Sequence, residues 1–124
     1  MKSLLFTIAF FCTAFITNAQ LQNTRWKAEL TIGDNNVNVV FDFGKDSLVV
    51  TNADDNSTIE TMTCAVTKTT FTLAKVSGQS DCGSDPATYN YAIKGKELTI
   101  TKAQDDCYDR YSVIDGKTFT RLEK

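Results

Sequence analysis

The chain contains no histidine. That absence removes the commonest general base and the commonest zinc or copper ligand, and it excludes every Ser-His-Asp or Cys-His nucleophilic arrangement. Proline is nearly absent too, with Pro86 alone, so little interrupts an extended backbone. No basic stripe exists: 13 Lys and Arg are scattered among 15 Asp and Glu, which gives no footing on a phosphate backbone and excludes nucleic acid as a partner. No CxxC motif is present. The acidic clusters Asp54-Asp55-Asn56 and Asp105-Asp106 lack EF-hand spacing and read as turn residues rather than calcium ligands. Neither cluster can be set in an aromatic-lined cleft as a glycosidase pair would need. The expectation is a protein that is not an enzyme and uses no cofactor.

Long apolar runs are absent after the first twenty residues, and that makes the beginning of the chain stand out. Lys2, the apolar run from Leu4 to Ile16 and the small-residue pattern Thr17-Asn18-Ala19 form a secretory signal over residues 1–19 with a cut after Ala19. The run is too short and too early for a membrane span. Cys12 follows Phe10 and Phe11 rather than small residues, so it reads as part of the signal and not as a lipid-bearing cysteine. Residues 20–124 then make one exported domain, secreted or periplasmic, with no integral membrane span.

From Trp26 onward the sequence alternates with period two between Gly, Asn, Asp and Lys turns. Trp26, Ala28, Leu30 and Ile32 share one face of a first strand. Beyond Gly33-Asp34-Asn35, Val37, Val39, Phe41 and Phe43 share the inner face of a second. Strands follow at Ser47 to Asn52, near Thr58 to Val66, and at Thr69 to Lys75. Val76 to Pro86 reads as the one long loop. Tyr89, Tyr91 and Ile93 then alternate up to Lys94-Gly95-Lys96, and Leu98 and Ile100 mark the seventh strand. Gln104 to Tyr111 is too charged for a core strand and reads as a short helical turn, before a last strand near Lys117 to Leu122. Eight strands in up-and-down order leave two raw edges unless the sheet closes. The expected fold is all-β: a small eight-stranded antiparallel barrel, wide enough to be filled by side chains or to hold one small ligand.

A single tryptophan, Trp26, opening the first strand and an arginine, Arg121, in the last resemble the lipocalin-like branch of the calycins in a small secreted form. So does the tail Tyr89-x-Tyr91-x-Ile93, Gly95-Lys96-x-Leu98-x-Ile100, Asp106-Cys107-x-x-Arg110 and Gly116-x-x-Phe119-x-Arg121. The resemblance implies that Trp26 packs against a basic side chain from near the chain's end, a cation-π contact, with Arg110 and Arg121 both candidates. It also implies a disulfide between the cysteine near the end and one just before the Tyr-containing strand. Thr24 stands where the family usually has glycine, two places before the tryptophan.

Cys64, Cys82 and Cys107 remain after the signal, in an export setting that permits disulfides. Cys82 in the long loop and Cys107 in the terminal turn are the favoured pair, closing a loop worth roughly 3 kcal/mol on the chain-entropy account. Cys64 shares parity with Met62 and Val66 and reads as a buried thiol. Phe41, Phe43, Met62, Phe71, Tyr89 and Tyr91 fall on inward positions and are the candidate lining of a pocket for a small hydrophobic molecule. The same rings, with Phe119, also suit a filled barrel. In that case the surface loops, Val76 to Pro86 above all, would meet another exported protein as an interaction or inhibitor module.

Overall fold

The structure is a computed structural model and describes residues 20–123. The expected signal, its cut after Ala19 and Cys12 lie outside the described residues. Eight strands are present: β1 (Thr24–Ile32), β2 (Asn35–Phe43), β3 (Ser47–Asn52), β4 (Thr58–Val66), β5 (Thr70–Gly78), β6 (Ala87–Lys94), β7 (Glu97–Gln104) and β8 (Lys117–Leu122). Each pairs antiparallel with its neighbour in sequence, and β8 returns to β1 through Arg25 with Leu122, Trp26 with Arg121 and Lys27 with Thr120. The meander therefore closes into a barrel, leaving no strand at a free sheet edge along the paired stretch. Among the described residues no helix is long and apolar enough to cross a membrane.

Two boundaries differ from the sequence reading by more than two residues, each for a tertiary reason. β5 continues past Lys75 to Gly78 because β4 pairs with it there, through Glu60 and Gly78, with Val76 the extra residue where the register shifts; the loop is thereby shortened to 79–86. The helix α1 (Tyr108–Ile114) lies later than Gln104 to Tyr111. Arg110 and Ile114, one turn apart on one face, are its buried residues, and burying them holds this segment as the helix while Gln104 stays in β7.

Alternation places the core as expected. Trp26, Phe43, Phe71, Tyr89 and Phe119 are fully buried, and Phe41 is 1 % exposed. The rings meet in tilted, edge and stacked contacts: Phe41 with Phe119 at 4.7 Å, Phe43 with Phe71 at 5.5 Å and Phe71 with Tyr89 at 5.7 Å between centroids. Such contacts add to the burial that dominates core energetics. Trp26 and Leu21 close one end of the barrel. The Trp26 indole donates to Thr24 Oγ1 at 2.7 Å, and the Thr24 hydroxyl donates to the Leu21 carbonyl. The Thr24 hydroxyl thus satisfies an otherwise unpaired buried donor.

The other end splays. β5 and β6 pair only as far as Leu73 with Ala87, β7 and β8 only as far as Ile100 with Lys117, and β8 and β1 only as far as Thr120 with Lys27. Past those pairs β1 continues with β2 but without β8, and α1 packs against β1 and β7 where β8 no longer reaches.

Candidate functional site

Splaying produces a cavity of about 580 Å³ at this end, open on one side. Its apolar wall is made by Leu30, Val39, Phe41, Val50, Met62 and Ile114, and polar atoms come from Glu60, Ser80, Asp109 and Arg110. That volume lies within the ~300–1,000 Å³ of small-molecule sites, and a mostly apolar lining with a few polar groups is their usual chemistry.

Of the six inward residues named as candidate lining, the structure brings two, Phe41 and Met62, to this cavity. Phe43, Phe71 and Tyr89 are packed in the ring stack and do not line it. Tyr91 is half-buried, its ring 6.1 Å from Phe71, and its hydroxyl donates to the Thr67 carbonyl at 2.7 Å in the β4–β5 turn. Parity groups them because it places a ring on the inner face and says nothing of its height along the barrel.

The two arginines separate. Arg121 lies over Trp26, Cζ 5.6 Å from the ring centroid. Arg110 instead forms a bidentate pair with Asp105, Nε to Oδ2 at 2.7 Å and Nη2 to Oδ1 at 2.9 Å, so its candidacy as the partner of Trp26 is overturned. The Tyr89 hydroxyl and the Cys107 N–H also donate to Asp105. Burial pushes the Asp105 carboxyl up, but the bonds from Arg110, Tyr89 and Cys107 outweigh it and hold the group below the usual carboxylate range. Burial, followed by the bond to Asp105, pushes the Tyr89 phenol far up. Asp105 is therefore a core anchor, whereas its neighbour Asp106 is exposed.

A second internal ion pair stands on the cavity's far side. Glu60 and Lys75 approach to 3.8 Å, and Ser80 donates its N–H to Glu60 Oε1 at 3.2 Å and its hydroxyl to Oε2 at 2.6 Å. Gly78 makes this possible: its φ is +143°, and a Cβ there would stand 2.1 Å from Glu60 Oε1. The sequence reading assigned no role to Glu60 or Lys75. Glu60 was discernible, since it shares parity with Met62, Cys64 and Val66, whereas Lys75 faces inward next to the bulge at Val76.

Cys82 and Cys107 are bonded, with Cα atoms 5.6 Å apart, and tie the β5–β6 loop to the start of α1. Cys64 is a free, buried thiol that burial pushes up to about 12, which keeps it protonated and unreactive near neutral pH. In the β3–β4 turn, Asp55 accepts both the N–H and the hydroxyl of Ser57, a turn-forming role for the first acidic cluster. No family model, curated protein or solved structure matches the chain.

Proposed function

We propose that the chain is an exported, lipocalin-like, non-enzymatic carrier that takes a small hydrophobic molecule into the open end of its barrel. The cavity of about 580 Å³ walled by Leu30, Val39, Phe41, Val50 and Met62 is the observation that supports this reading. The leader-like residues 1–19 support export, and the stacking of Arg121 on Trp26 supports the lipocalin-like assignment. Release of the mature chain to the periplasm or the exterior belongs to the same proposal.

Native mass spectrometry of the mature protein from its exported fraction tests carriage, together with displacement of the neutral fluorophore N-phenyl-1-naphthylamine. A retained small-molecule mass lost on denaturation, or saturable fluorophore binding weakened by Val50→Phe in the cavity wall, is the expected result. Neither cargo nor fluorophore binding would overturn it. A second reading, a filled barrel working through its surface on another exported protein, draws on the packed rings Phe43, Phe71, Tyr89 and Phe119 and on Tyr108, which is 68 % exposed beside the disulfide loop. Co-purification of a defined exported protein, lost on Tyr108→Ala, would favour that reading.

A further inference from the structure

If the barrel carries cargo as proposed above, the groups on its wall restrict the cargo's chemistry. Arg110 lines the cavity and is 7 % exposed. Its Nε and Nη2 are engaged by Asp105, whereas Nη1 is buried and has no hydrogen-bond partner among the described residues. A buried charged donor without an acceptor is costly, and an acceptor supplied by a bound molecule would relieve that cost. Nη1 has no open surface of its own, so a bound molecule reaches it only as the wall around Arg110 shifts; the neighbouring lining residue Tyr108 is largely exposed and packs edge-on against Tyr111.

Charge then selects among acceptors. The charged residues lining the cavity are Glu60, Asp109 and Arg110; Glu60 is paired with Lys75 and Arg110 with Asp105, which leaves the exposed Asp109 as the unbalanced charge. Asp81, Asp85 and Asp106 line the adjoining smaller hollow under the disulfide loop. An anionic head would meet Asp109 and the carboxylates of the smaller hollow as like charges, with Lys75 and Arg110 already paired to Glu60 and Asp105. A neutral acceptor escapes that repulsion while still meeting Nη1. We infer that the cavity takes a neutral amphipathic molecule, its amide, ester or ketone carbonyl accepting from Arg110 Nη1 and its hydrocarbon body lying on Leu30, Val39, Phe41, Val50 and Met62.

Competition against N-phenyl-1-naphthylamine at about pH 8 distinguishes the classes, using decanamide, methyl decanoate, decanoate and decane on the mature protein. The amide and ester should compete about tenfold more strongly than decanoate or decane, the scale of one hydrogen bond to a charged donor. Arg110→Lys, which keeps a cation for Asp105 but lacks Nη1, should erase that preference and leave decane unchanged. Should this variant fail to fold, the arginine side-chain NMR signals of the wild-type protein decide: an Nη shift with decanamide but not decane is expected. Equal competition by all four ligands, the tightest binding by decanoate, or an unshifted Nη signal would overturn the inference while leaving carriage intact. Failure of the fluorophore itself to bind would instead overturn carriage, and this inference with it.

Discussion

Arg121 lies on the indole of Trp26 directly across the β8–β1 seam, and the two residues are also register partners in that pairing. One contact therefore joins the first and last strands at the closed end of the barrel. Arg110, eleven residues earlier, serves the opposite end through Asp105. The consequences of losing each differ in size. Arg121→Ala removes an exposed cation-π contact and should lower stability by ~0.5–1 kcal/mol. Arg110→Ala strands a buried carboxylate and should cost about 3–5 kcal/mol. Urea denaturation of both variants measures the contrast, and equal losses would contradict the assignment of the two arginines.

Reducing the Cys82–Cys107 bond, or replacing both cysteines by serine, should lower stability by about 3–4 kcal/mol, because the bond closes a loop spanning a sequence separation of 25 residues. Hydrogen exchange should rise first in residues 79–86 and in α1, which the bond joins. A uniform rise across the barrel would instead place its effect on the whole fold.

Stability should fall at both extremes of pH. Cys64 and Tyr89 have raised folded-state values, so the stability linked to their neutral forms is complete below the unfolded values near pH 9 and 10. It is lost as pH rises past those values. Asp105 has a lowered folded-state value, so its contribution is present above about pH 4 and disappears as pH falls through the folded value. Denaturation midpoints measured against pH check this. Cys64→Ala should flatten the onset of the alkaline limb, and Tyr89→Phe should flatten its later part.

Gly78→Ala should destabilise by more than about 1 kcal/mol, since the left-handed φ disfavours any side chain and the new methyl would collide with Glu60 Oε1. The Ile59 carbonyl oxygen would lie only 2.7 Å from that Cβ. Shortening the carboxylate in a Gly78→Ala/Glu60→Ala double variant should therefore rescue only part of the loss. Full rescue would mean that Glu60 alone sets the need for glycine.

Much of the architecture was legible because side-chain alternation and turn chemistry are local. The parity of Phe41, Phe43, Phe71, Tyr89 and Phe119 put each ring inside, and Cys82 and Cys107 were paired from their settings in a loop and a turn. The reading failed where distance along the chain and distance in space part company. Asp105 looked like a turn residue because the residue it anchors, Arg110, becomes its partner only when α1 packs across the barrel end.

By itself, the sequence determined the number of strands, their up-and-down order, which face of each strand points inward and the exclusion of histidine-based chemistry. Only the tertiary structure decided the height of each inward residue, which arginine meets Trp26, and which residues surround the cavity. The physical reason is that parity repeats every two residues within one strand, whereas height depends on the stagger with which eight strands close. Here that stagger is further altered by the register shifts at Val50/Thr51, Thr61/Met62 and Thr88/Tyr89.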